Sequence, residues 1–132
     1  MEITTTQEQG RVPVTVFRLK GELDAIFAGK LREQSREAIA AGTRHLLLDL
    51  AEVPYIASAG LRAFQEIFNL LREDSVDKGD TALQQGLRDG TYKSPHLKLL
   101  NPTRLAVEAL STAGFDMFLE IHHSLKEAVA SY

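Results

Sequence analysis

The chain has no cysteine. That excludes disulfide staples and thiolate metal sites, and it fits a cytoplasmic location. A basic excess is missing too: 15 Lys and Arg stand against 18 Asp and Glu, for a net charge of −3. A general nucleic-acid binder needs a basic face, so no nucleic-acid partner is expected. No apolar run approaches the ~18 residues of a membrane span. The stretch Met1-Glu2-Ile3-Thr4-Thr5-Thr6 carries neither a basic segment nor an apolar one, so no signal peptide is expected. The four histidines lack the spacing of a ligand set. His122 and His123 are adjacent, and along a strand they would point to opposite faces. His45 and His96 each stand where a strand opens. Glu22 and Asp24 alternate as a carboxylate pair, but no acid or base partner accompanies them. There is no G-x-S-x-G nucleophile elbow and no P-loop. These absences imply no catalysis, no metal and no cofactor.

What is present is enough for one domain with a proper core, residues 1–132. Its centre is residues 45–71. His45-Leu46-Leu47-Leu48-Asp49-Leu50 is an almost continuous apolar run, the pattern of a strand buried on both faces of a parallel sheet. Pro54 breaks the chain, and the small residues Ala57, Ser58, Ala59 and Gly60 follow. Leu61, Phe64, Ile67, Phe68 and Leu71 then fall on one helical stripe. A buried strand therefore feeds a small-residue turn that opens a helix, whose first N–H groups are unpaired and electropositive.

Upstream, residues 3–6 are β-branched and predict an edge strand, and Gln9-Gly10-Arg11 a hairpin turn. Residues 12–19 alternate: Val14, Val16 and Arg18 on one face, Thr15, Phe17 and Leu19 on the other. Pro13 belongs at that strand's start. Asp24 is a helix cap, Phe27, Leu31, Ala38 and Ile39 form a stripe, and Gly42 stops the helix.

Downstream, residues 73–95 are polar and glycine-rich and predict an inserted loop, with one short helix at 81–87. Residues 96–100 predict a strand and Pro102 a first helical position, with Leu105, Ala109, Leu110 and Ala113 as that helix's stripe and Gly114 its end. Residues 117–121 predict a last strand, and Ser124 caps a terminal helix. The order describes an α/β fold: a mixed, mostly parallel sheet with an N-terminal antiparallel hairpin and about four helices. The small-residue turn lies at the carboxyl end of a strand, where open α/β sheets place their sites.

Three stretches resemble one family. Val14-Thr15-Val16-Phe17-Arg18-Leu19-Lys20 runs into Gly21-Glu22-Leu23-Asp24, similar to an apolar strand followed by G-E-L-D. Leu46-Leu47-Leu48-Asp49-Leu50, Val53, Tyr55-Ile56 and Ser58-Ala59-Gly60-Leu61 resemble a strand followed by aromatic-Ile-Asp-Ser-Ser-Gly-Leu. Leu99-Leu100-Asn101-Pro102 is a weaker third. Together they resemble the STAS domain of sulfate transporters and anti-sigma-factor antagonists. The resemblance implies a STAS-type fold and a non-enzymatic module that binds an anti-sigma factor, itself a serine kinase, in bacterial transcription regulation. Partner contacts would fall on Asp24, Ala57, Ser58, Ala59, Gly60, Leu61 and Arg62.

In the family the kinase modifies the second serine of the Asp-Ser-Ser turn. Here Ala57 aligns with the aspartate, Ser58 with the first serine and Ala59 with the acceptor. The usual switch cannot operate at position 59. Ser58 is expected to cap the helix, its alternative role being a shifted phospho-acceptor. Two other readings stand beside the first: a scaffold or transporter-accessory subunit, and a small nucleotide-binding protein using the helix N-terminus as an anion cradle.

Overall fold

A computed structural model of the chain describes residues 1–73 and 93–132. Among the described residues the sheet has five strands in the order β1 (Glu2–Gln9), β2 (Pro13–Lys20), β3 (Leu46–Glu52), β4 (Leu97–Leu100) and β5 (Ile121–His122). β1 and β2 pair antiparallel, and the other neighbours are parallel. Among the described residues there are four α-helices: α1 (Ala25–Ala40), α2 (Ser58–Glu73), α3 (Arg104–Thr112) and α4 (Leu125–Ala130). This is the expected α/β architecture.

Strand alternation decides which residues each face buries. Phe17, Leu19, Leu46, Leu48, Leu50, Leu97 and Leu99 pack under α1, α2 and α3 as the main core. Val14, Val16, Leu47 and Leu100 face the other way and are covered by Ala128 and Val129 of α4, with Val12 and Tyr132 beside them. Arg18 shares that second face, where its Nε lies 3.4 Å from Asp49 Oδ2.

α1 ends as its sequence predicts. Gly42 takes φ +117, its N–H bonds Ile39 O at 3.0 Å, and the Thr43 N–H reaches back to Ala38 O at 3.0 Å. That pair of bonds is a Schellman closure, which needs a residue free to turn left-handed.

Several expectations shift. β1 is longer than residues 3–6, because pairing with β2 runs in register from Glu2 to Gln9. α2 extends to Glu73, so the polar segment starts later. It also ends sooner: Ser94 is buried, its N–H bonds Phe118 O, and its hydroxyl accepts from the N–H groups of His96 and Leu97. The helix expected at 81–87 lies outside the described residues. α3 begins at Arg104 under a Thr103 cap, not at Pro102. Leu105 consequently points outward at 57% exposure, while Ala106 and Leu110 carry the buried stripe. Residues 117–121 are not one strand. Gly114 at φ +81 opens a 3-10 turn over Phe115–Met117, and Phe115 and Leu119 bury themselves at turn spacing before β5 begins.

Candidate functional site

Three loops leave the carboxyl ends of β2, β3 and β4 and are stitched together there. The Gly21 N–H bonds Glu52 O at 3.0 Å, the Leu23 N–H bonds Tyr55 O at 3.1 Å, and the Ala57 N–H bonds Leu23 O at 3.1 Å. Leu23 and Ile56 thus form a short parallel bridge beyond the strands. From the third loop, the Thr103 hydroxyl donates to Val53 O at 2.9 Å while accepting from the Ala106 N–H at 3.3 Å. One residue caps α3 and ties it to the β3 loop.

The helix openings are built on this frame. Asp24 Oδ1 accepts from the Phe27 N–H at 2.9 Å, the cap expected from its type. At α2 the Ala57 carbonyl accepts from the Gly60 and Leu61 N–H groups at 2.9 and 3.1 Å. Ser58 is therefore already helical, and it does not act as the expected cap. Its side chain is exposed, and no described residue bonds its hydroxyl. Gly60 is buried, and a Cβ there would lie 2.8 Å from both Ile56 Cγ2 and Leu23 Cγ. The glycine is fixed by contact with the Leu23–Ile56 bridge rather than by backbone sign. Ala59 and Leu61 are half-buried against the core, and Arg62 is exposed.

The seven residues singled out in the sequence thus meet in one region. The structure adds to them. Tyr55, Leu61 and Leu105 line an open groove of about 560 Å³ between the α2 opening and α3, floored by Ile56 and Ala109 and rimmed by Glu108. Ile26, on the first turn of α1, is 71% exposed. An apolar residue in a sequence reads as core, so only the exposure of Tyr55, Leu105 and Ile26 assigns them to the surface. Asp24 is engaged as a cap, and Ser58 has no base on its hydroxyl. What the region offers is a shaped surface of small, apolar and singly charged residues. Among the described residues no group of three or more His, Asp or Glu could hold a metal ion. No described helix is long and apolar enough to cross a membrane.

The family model named STAS domain matches residues 4–77, just over half of the chain. The chain belongs to the STAS domain family. No curated protein matches it in sequence. Among solved structures, this STAS domain is similar to an anti-sigma factor antagonist from Mycobacterium paratuberculosis, with 18% identity and a TM-score of 0.69 over 98% of this chain and 93% of that one. It is also similar to the anti-sigma factor antagonist SpoIIAA in its unphosphorylated form, with 17% identity and a TM-score of 0.67 over 96% and 93%. The phosphorylated form of the Bacillus cell fate determinant SpoIIAA gives 18% and 0.60 over 96% of each chain. At such identities the likeness is one of fold, and the shared fold covers nearly the whole chain.

Proposed function

We propose that this STAS domain is a non-enzymatic interaction module that binds an anti-sigma factor through Asp24, Ala57, Ser58, Ala59, Gly60, Leu61 and Arg62, in the cytoplasm. The observation that carries the reading is the junction of the α2 opening with the exposed apolar groove of Tyr55, Leu61 and Leu105. Apolar residues clustered in the open beside one arginine suit a partner surface better than a small-molecule cleft. Ala59 at the aligned acceptor position keeps the region in one chemical state, so binding here is constitutive.

The test is capture of partners from a bacterial lysate by the immobilised full chain, with mass spectrometry of what is retained. Recovery of a histidine-kinase-like ATPase that is lost with Arg62→Glu supports the reading. Retention of transporter subunits instead makes the chain an accessory subunit.

A further inference from the structure

At the other end of the sheet, far from the α2 opening, the C-terminal segment is held by a cluster that the function above does not use. β3 and β4 are parallel with Leu46 beside Leu97, so the residues that precede them, His45 and His96, come side by side. Their ring centroids are 5.5 Å apart. Tyr132 packs against His45, its ring edge-on at 5.6 Å and its hydroxyl donating to Leu46 O. Lys98 is buried and lies 4.7 Å above the Tyr132 ring. Its ammonium donates to Ser131 O at 3.0 Å and to Ser131 Oγ at 2.9 Å, and it pairs with Glu120 Oε2 at 3.3 Å. α4 is only six residues long. A helix that short has little stability of its own, so its docking depends on these contacts and on Ala128 and Val129.

We propose that His45 and His96 form an acid-sensitive clasp: when His45 takes up a proton, α4 with Ser131 and Tyr132 lifts from the sheet and uncovers Val14, Val16, Leu47 and Leu100. A cation on His45 would face His96 and the Lys98 ammonium from β4. Glu120, from the segment before β5, is engaged by Lys98 and by His122 Nε2 at 2.8 Å. From α4 and its end it would meet Tyr132, whose phenol burial keeps neutral. From the loop before β3 it would meet Arg44, whose guanidinium is spent on Ile39 O and Thr43 O. From β2 only the Pro13 backbone offers an acceptor. Among the described residues, the charges that act on His45 are His96 and Lys98, and neither is a carboxylate.

Burial, then the charges of His96 and Lys98, holds His45 below its ordinary value of 6.5, with the Pro13 bond acting in the opposite sense. The undocked His45 therefore binds protons more readily than the docked one. Docking is fully stable above the ordinary value and weakens as pH falls through the lowered one.

The experiment follows amide exchange and histidine ring signals of the full chain by NMR from about pH 7.5 to about pH 3.5. The expected result is a loss of at least about tenfold in protection at Ala128 and Val129, corrected for intrinsic exchange, while β2 and β3 keep theirs. His45→Gln should retain protection throughout, and His122→Gln should behave as wild type. Titration of the His45 ring with α4 protection unchanged would overturn the clasp. So would an equal loss in His45→Gln. In the wild type alone, a midpoint that follows carboxylates at about pH 4 rather than the His45 ring would also overturn it.

Discussion

Gly60 sits against Leu23 so closely that a Cβ would lie 2.8 Å from Leu23 Cγ. This contact links the opening of α2 to the loop that opens α1, and it sets the separation of the two helix starts. Gly60→Ala forces Leu23 and Ile56 to move in a packed layer, which costs about 1–3 kcal/mol. Urea unfolding should show a lowered midpoint with an unchanged slope. An unchanged midpoint would mean that the bridge yields freely and does not fix the site.

The surface beside that contact makes a separate prediction. Arg62 and Leu105 are exposed, and neither supports the core. Arg62→Glu and Leu105→Asp should each weaken binding of a captured anti-sigma factor by about tenfold or more, since one reverses a rim charge and the other wets an apolar contact. Melting temperatures should stay within a few degrees, as surface changes allow. Calorimetric titration against differential scanning separates the two effects. Full affinity in both variants would place the interface elsewhere.

Much of this frame was legible in the residues. Val14 and Val16 against Phe17 and Leu19 announce a strand with two covered faces, Gly42 announces the end of α1, and Asp24 its start. The helical stripe from Leu61 to Leu71 is buried at Phe64, Ile67, Phe68 and Leu71. The failures have physical causes. Residues 117–121 are apolar except for Glu120, and so short a run reads alike as strand or tight turn until Gly114 sets the direction. The sequence pattern places Leu105 on a core stripe, because the phase of a short helix shifts with one or two residues at its start. Tyr55, Leu105 and Ile26 were missed as surface because apolarity alone does not reveal exposure. The His45, His96 and Tyr132 cluster joins three distant segments and has no local signature at all.

The polar segment gives a third prediction. The boundary expected at 73–95 narrows, since Glu73 is helical and Ser94 is anchored to Phe118. Residues 74–92 carry glycines and charges and few large apolar residues, so the core is expected to form without them. A chain joining Glu73 to Lys93 through a Gly/Ser linker should fold and unfold in one cooperative step, with the far-ultraviolet signal of the sheet retained. Loss of cooperativity would make the segment part of the core.

The last prediction concerns the position where the family carries its phospho-acceptor. Ala59 has no hydroxyl, so incubation with a captured kinase and ATP leaves it unmodified. Ser58 is exposed and unbonded, but one residue along a helix turns a side chain by about 100°, away from the direction position 59 presents. Wild-type protein should therefore carry no stoichiometric phosphate and bind constitutively. Ala59→Ser should become a substrate if the partner is a serine kinase. Ala59→Asp places a carboxylate in the first turn of α2, where the helix N-terminus favours it in the free protein. The same charge, pressed into a partner contact without a counterion, costs several kcal/mol of desolvation. Binding should thus be lost while the melting temperature holds, and that combination distinguishes release from unfolding. Peptide mapping that finds full phosphate on wild-type Ser58 would make Ser58 the switch. Equal partner affinity for wild type and Ala59→Asp would take the α2 opening out of the interface.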